Sequence, residues 1–356
     1  MIAHKNVVSL LSSQNEFLEL YEDDLSFNFL PMAHSAERIL GFYGRINTGI
    51  AGAYASSVPA VLSELTEVKP TLFGSVPRIF EKAYAKIHAE VAKKPAVVRR
   101  LFAWAATVGR RSAPYIISGE KMPKPLAIQH AIADRLVFRK IRAAFGGRVK
   151  SFITGAAPIA PEILSFLWGA GLPIFEAYGM TEATVITHIN RPGWVKLGSV
   201  GKVIEPMVCR IADDQEVLVK GPFVFSGYFK NEEATAAAVV DGWLHTGDIG
   251  AVDDDGYLKI TDRKKHLIIT AGGKNLAPAN IENAIKNQDP LISQVHAHGD
   301  RRPYVSALVA PSPIETLEWG CERQLVTKDV VARFTKELME NPTGRSENLN
   351  AAVSEV

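Results

Sequence analysis

Apolar and polar residues alternate along Leu25-Ser26-Phe27-Asn28-Phe29-Leu30, and the alternation stops at Pro31. A period of two ended by a proline predicts a strand that runs into a loop. From Val76-Pro77-Arg78 the apolar positions follow a helical period with basic outer faces. The spacing predicts helices to about Ala144, broken near Pro95 and again between Pro114 and Pro125. Val149 to Thr154 then reads as a short buried strand that stops at Gly155-Ala156-Ala157-Pro158. A helix follows over Ala160 to Ala170, and a second short strand over Leu172 to Ala177. Strand, loop, helix and strand in this order predict an α/β layer with a parallel sheet, whose ligands sit at the carboxyl ends of the strands.

The texture changes after about residue 195. Glu216 to Lys220, Val224 to Tyr228 and Tyr257 to Ile260 read as short β segments, with Asp253-Asp254-Asp255-Gly256 as a hairpin turn. The pattern after Asp262 suits a small α+β unit. The expected organisation is therefore a large part over 1–262, divided into an α/β portion (1–195) and a β-rich portion (196–262), followed by a small domain over 263–356.

Composition narrows the class. The 356 residues are 47% hydrophobic and 22% charged, as in a folded globular chain. The two cysteines, Cys209 and Cys321, supply neither a disulfide framework nor a metal cluster, which favours a reducing, cytoplasmic setting. The uncharged run Ile46 to Ser63 is built mostly of small and polar residues, so a spanning helix is not expected there. The net charge of +2 conceals an asymmetry. Residues 78–150 carry 17 Lys and Arg against 4 Asp and Glu, and the excess is offset elsewhere. This is either a set of solvated helices or a basic face for peripheral contact with an anionic membrane. Aromatic residues are not interleaved with the basic ones, so a nucleic-acid partner is not expected.

Three segments carry candidate chemistry. Tyr178-Gly179-Met180-Thr181-Glu182 places a hydroxyl and a carboxylate after a strand end, a pair suited to a phosphate oxygen and a hard cation. Gly242-Trp243-Leu244-His245-Thr246-Gly247-Asp248 puts a carboxylate on an expected tight turn, where it could accept from both hydroxyls of a ribose. Thr261 to Asn275 sets charged residues before a buried strand and a Gly-Gly loop that permits close backbone approach to a ligand. Each segment alone also reads as an ordinary turn, cap or hairpin.

Together, in this order, the three resemble the adenylate-forming (AMP-binding) superfamily. The segments Leu30-Pro31-Met32-Ala33-His34-Ser35-Ala36-Glu37-Arg38, Val76-Pro77-Arg78-Ile79-Phe80-Glu81-Lys82 and Gly272-Gly273-Lys274-Asn275-Leu276-Ala277-Pro278 resemble its long-chain fatty acyl-CoA synthetase branch more than its peptide-synthetase adenylation domains. The resemblance fades after about Pro311. It implies a ligase that converts fatty acid, ATP and CoA to acyl-CoA, AMP and diphosphate through an acyl-adenylate, with Mg²⁺ as cofactor and CoA as co-substrate. It implies an adenine pocket at Gly155, Ala156, Glu176, Ala177 and Tyr178, an α-phosphate contact at Thr181 and a Mg²⁺ ligand at Glu182. Asp248 and Arg263 would hold the ribose, and Lys265 would mark the hinge of the small domain. Gly272 and Gly273 would approach the CoA pantetheine, and His34 would border the acyl pocket.

The chain departs from that pattern at both ends. The superfamily's Ser/Thr/Gly-rich phosphate loop belongs immediately upstream of a segment like Met1 to Val8, and its C-terminal lysine beyond Val356. The resemblance therefore implies an incomplete large domain followed by a truncated small one. Loss of one such oxyanion donor typically costs about 10²–10³ in rate, so little adenylating activity is expected of the chain by itself. The alternative is a non-catalytic adenylate- or acyl-binding, or interaction, protein derived from such a ligase.

Overall fold

The computed structural model describes residues 1–264, 268–269, 275–286, 288–289 and 291–340. The chain divides into two compact units, Met1–Ile260 and Thr261–Val356.

The first unit is built on a seven-stranded sheet. In chain order its strands are β1 (Leu25–Asn28), β2 (Ala51–Tyr54), β3 (Leu72–Ser75), β4 (Ser151–Thr154), β5 (Ile174–Tyr178), β6 (His188–Ile189) and β7 (Lys202–Val203). Their spatial order is β2-β1-β3-β4-β5-β6-β7. The pairs from β2 through β5 are parallel, as the sequence pattern predicts, and β6 and β7 close one edge antiparallel.

The strand order decides which helices lie on which face. The step from β1 to β2 runs one way across the sheet, and the steps β2 to β3, β3 to β4 and β4 to β5 run the other way. Right-handed crossovers then place the connection after β1 on one face and the later connections on the opposite face. The first connection is a π-helical turn, Glu37–Tyr43, continued by Gly44–Thr48. The later ones include the helices Val61–Val68, Pro77–Ala92, Ala96–Ser118, Lys124–Ala133 and Pro161–Gly169. Strand alternation reports the same division. Leu72, Gly74 and Ile153 line a cavity that Leu40 and Gly41 also border, whereas Phe73 and Phe152 meet the ring of Phe80 on the helix Pro77–Ala92.

The helical stretch departs from expectation at one point. Pro114 lies inside the helix Ala96–Ser118 and does not end it. The proline is exposed and close to the helix end, so only one ladder bond near that end is lost.

A second sheet follows, of β8 (Val208–Ile211), β9 (Glu216–Lys220), β10 (Val239–Val240), β11 (Trp243–Val252) and β12 (Leu258–Arg263), in the order β10-β11-β9-β8 with β12 pairing β11. Asp253 to Gly256 forms the turn between β11 and β12, with the Asp253 carboxylate accepting from the N–H groups of Asp255 and Tyr257. The expected strand Val224–Tyr228 is absent. That segment is irregular apart from an isolated bridge between Tyr228 and Asn231, and it leads into the helix Glu232–Ala238, which Asn231 caps by accepting from the Ala234 N–H.

In the second unit, β13 (Ile268–Ile269) pairs with β14 (Asn275–Leu276), and β15 (Ile292–His298) pairs with β16 (Ser306–Pro311), both antiparallel. Leu317 and Phe334 form its small buried cluster, joined by Ile314, Val326, Val330 and Val331.

No helix among the described residues is long and apolar enough to cross a membrane.

Candidate active site

A cavity of about 310 Å³ opens at the carboxyl ends of the parallel strands, beneath the helical turn Glu37–Tyr43. Most of its wall is apolar, including Leu18, Leu40, Leu72, Ile153 and Ile186. Six residues singled out from the sequence line it: His34, Gly155, Ala156, Ala177, Tyr178 and Thr181. His34, Gly155, Ala156 and Thr181 lie in the segments that follow β1, β4 and β5, Ala177 and Tyr178 end β5 itself, and the strand order brings them together. His34 lies exposed, its Nδ1 accepting from the Ala36 N–H at 3.2 Å. Ala156 holds a left-handed backbone (φ 71°) directly after β4.

The loop after β5 is tightly folded. A Cβ on Gly179 would lie 2.0 Å from the Val185 carbonyl, so the chain can pass there only as glycine. Thr181–Ala183 is one turn of 3-10 helix, followed by two consecutive residues at positive φ, Thr184 (52°) and Val185 (84°). A β-branched residue in that region is strained, and strain of this kind collects at ligand-binding turns. The buried Thr184 hydroxyl donates to the Phe223 carbonyl at 2.6 Å, which helps hold the turn. Thr181 stands exposed with its hydroxyl 3.2 Å from that of Ser35. The Glu182 carboxylate accepts from the Tyr228 hydroxyl at 2.9 Å.

Asp248 does not sit on a tight turn. It lies within β11, where the pairing with β9 shifts register between His245 and Ile249 and Gly247 takes φ 70°. This bulge re-aims the side chain. Glu216 fixes the bulge: one of its oxygens accepts from the Gly247 N–H at 2.8 Å and the other lies 3.1 Å from His245 Nδ1. Asp248 is buried and accepts from the Tyr178 hydroxyl at 2.6 Å. Desolvation, and after it the contact with Asp248, holds the Tyr178 hydroxyl well above its ordinary pKa, so it remains a donor.

Glu176 is placed differently from its strand neighbours. Its carboxyl is buried and turned to the Gly198 N–H at 3.2 Å, and it does not line the cavity. Burial pushes its pKa up to about 8, so it is a neutral acid at pH 7. Arg263 ends β12, in the second unit, and is exposed. Its backbone N–H donates to the Asp262 carboxylate at 2.6 Å. Lys265, Gly272 and Gly273 lie outside the described residues.

Sequence reasoning missed Ser35, Tyr228 and Glu216. Ser35 stands beside His34 in a segment already singled out. Tyr228 and Glu216 lay in stretches read only as strands, and nothing in their spacing marks a partner some 30 to 50 residues away.

Comparison with known proteins gives the class. The model of the AMP-binding enzyme family matches residues 1–229, and that of the AMP-binding enzyme C-terminal domain matches residues 265–335. The chain belongs to the AMP-binding enzyme family. It is 40% identical over 311 residues to a putative fatty-acid–CoA ligase, fadD11, of Mycobacterium tuberculosis, covering 86% of this chain and 54% of that protein. It is 42% identical over 295 residues to the long-chain-fatty-acid–CoA ligase FadD15 of Mycobacterium bovis, covering 80% of this chain and 47% of that one. The fold matches that of an o-succinylbenzoate–CoA synthetase of Bacillus subtilis solved with its acyl-adenylate intermediate. The TM-score is 0.64 at 22% identity, over 92% of this chain and 60% of that one. The chain spans about half the length of the curated relatives it matches.

Proposed function

We propose that the protein takes part in ATP-dependent ligation of a long-chain fatty acid to CoA, by way of an acyl-adenylate. One observation carries this reading: a largely apolar cavity reaches Tyr178 and Thr181, the start of the motif suited to a nucleotide phosphate. An acyl chain in that cavity would present its carboxylate near Thr181. Adenylation is then mostly positioning and charge stabilisation.

In this reading Gly155, Ala156, Ala177 and Tyr178 border the adenine, with Glu176 supporting the pocket from behind as a neutral acid. Thr181 donates to the α-phosphate, oriented by Ser35. Asp248, pinned by Tyr178, takes the ribose hydroxyls, and Arg263 joins it. His34 borders the acyl carboxylate. Lys265 serves as the hinge, and Gly272 and Gly273 pass the pantetheine. Residues 1–262 act as the nucleotide- and acyl-binding part, the α/β portion being 1–195 and the β-rich portion 196–262. Residues 263–356 act as the small domain.

The donor set suits Mg²⁺. No group of three or more His, Cys, Asp or Glu among the described residues forms a protein-only metal cage. Mg²⁺ commonly binds through one carboxylate plus substrate phosphates, and Glu182 offers that carboxylate beside Thr181. When bound, the ion would neutralise phosphate charge. The chain's own share is to hold Glu182 in place, through Tyr228. Free Cys209 and Cys321 support a reducing, cytoplasmic setting.

The test is calorimetric titration of the 356-residue chain with a non-hydrolysable hexadecanoyl-adenylate analogue, alongside the short-chain acetyl analogue. Tighter binding of the long analogue, weakened at least tenfold in Asp248→Ala, is expected. Equal affinity for both analogues would remove the long-chain assignment, and binding of neither would remove the adenylate reading. Acyl-CoA formation from hexadecanoate, ATP and CoA then separates a ligase from a binding protein.

A further inference from the structure

The helical segment from Lys124 to Ala144 has two contrasting sides. Leu126, Ala133, Phe138 and Ile141 are buried, and His130 Nε2 lies 2.9 Å from the Gly169 carbonyl, which fastens the segment to the helix Pro161–Gly169. The opposite side carries Ile128, Ile132 and Leu136, which are 63%, 47% and 45% exposed. They are spaced four residues apart, and the π-helical turn Asp134–Phe138 overlaps the end of the run. In a regular α-helix a four-residue step drifts around the axis, and a wider turn reduces that drift. Leu136 therefore stays in line with the two isoleucines.

Cations frame this apolar stripe. Lys124 precedes it, and Arg135, Arg139 and Lys140 follow along its far half, all exposed. Asp134 is the sole acidic residue between 121 and 150, and it pairs with Arg142 at 2.6 Å and with the exposed Arg139 at 3.3 Å, leaving the segment strongly basic. The adjoining helix Ala96–Ser118 adds exposed Val97, Trp104, Arg99, Arg100 and Arg111. The strand order puts this whole layer on the face of the sheet away from the helical turn that borders the cavity, so the surface is independent of the site described above.

We propose that the stripe Ile128, Ile132 and Leu136, with its flanking Lys124, Arg135, Arg139 and Lys140, docks the protein on an anionic phospholipid surface. Aliphatic side chains on a helix lying in the interface enter the acyl region while the cations meet headgroup phosphates. The charge selects among occupants. A second copy of the chain would bring like charge against like. A nucleic acid would meet three bare aliphatic side chains where its surfaces favour polar groups.

The experiment is flotation of the whole chain with vesicles of phosphatidylcholine alone and with vesicles containing about a third phosphatidylglycerol. Binding is expected on the anionic vesicles only, falling several-fold when salt is raised to about 0.5 M. The triple variant Ile128→Ser, Ile132→Ser, Leu136→Ser is expected to bind about tenfold more weakly with an unchanged thermal midpoint. The variant Lys124→Gln, Arg135→Gln, Arg139→Gln, Lys140→Gln is expected to fall to the level seen on neutral vesicles. Full-strength binding by both variants, binding that ignores lipid charge, or no binding would overturn the proposal. So would a wild-type dimer, measured by sedimentation, that the triple variant abolishes, since the stripe would then be an interface between copies. None of these readouts requires turnover, so they stand apart from the ligase reading.

Discussion

The edge that carries Asp248 and Glu182 and the wall of the cavity treat their polar groups in opposite ways. At the edge, Asp248 receives the Tyr178 hydroxyl and Glu182 receives the Tyr228 hydroxyl. In the wall, Glu37 and Gln14 are both buried, and each has a side-chain oxygen with no hydrogen-bond partner. Burial raises the pKa of Glu37, while a backbone bond from Leu30 acts against the rise. At the edge, a tyrosine hydroxyl donating to each carboxylate fixes where that carboxylate points. In the apolar wall, desolvation disfavours the charged form of the Glu37 carboxyl.

The comparison breaks most severely at Gly179. Gly179→Ala would drive a Cβ into the Val185 carbonyl, a backbone atom that cannot rotate away. A loss of about 3 kcal/mol is expected in urea unfolding, as for severe overpacking. Full stability would mean that the loop after β5 is not tightly held.

Tyr178→Phe comes next. It removes a donor from a buried carboxylate without changing shape, so a cost of about 1–3 kcal/mol is expected. The loss should appear in urea midpoints and should be regained in the double variant Tyr178→Phe, Asp248→Leu, which replaces both partners with apolar groups.

The pH dependence sharpens the contrast through groups with opposite signs. Glu176 has a folded pKa of about 8 against an ordinary 4.5. The unfolded chain loses that proton first, so this contribution is fully present below pH 4.5 and is lost as pH rises through about 8. His188 is buried and lowered from 6.5 to about 3. Its contribution is present above pH 6.5 and is lost as pH falls toward 3. Denaturation midpoints across pH 3–9 should therefore decline on both sides. Glu176→Gln should flatten the alkaline side alone, and an unchanged alkaline slope would show that Glu176 ionises normally in the fold.

How much of this was legible follows from how far each signal reaches along the chain. The parallel core was readable because Leu25–Asn28 alternates apolar and polar residues and Ser151–Thr154 and Ile174–Tyr178 fall in short apolar stretches, the three bounded by Pro31, Gly155 and Gly179. Thr181 and Asp248 stand out in the sequence as candidates, but the bulge that aims Asp248 does not. A register shift depends on the facing strand, and the clamp at Glu216 is about 30 positions away. Pro114 misled because a proline near the end of a long, packed helix removes little. The expected strand Val224–Tyr228 misled because its apolar residues pack individually: Phe225 lies edge-on to Tyr228, with ring centres 4.9 Å apart.

That ring contact leads to the smallest expected effect. The backbone N–H of Tyr228 donates to the Thr235 hydroxyl at 2.9 Å, so the ring is placed by the following helix. The hydroxyl is partly exposed, and a donor there contributes less than that of Tyr178, whose acceptor Asp248 is buried. Tyr228→Phe should cost under about 1 kcal/mol of stability, because water can replace the lost donor. Its effect should appear in the Glu182 carboxylate, which would be free to rotate. With one oxygen no longer held, the apparent Mg²⁺ affinity for the chain with an ATP analogue should weaken a few-fold in titration, while metal-free nucleotide binding stays constant. A stability loss equal to that of Tyr178→Phe would show that the two tyrosine straps are not ordered by burial.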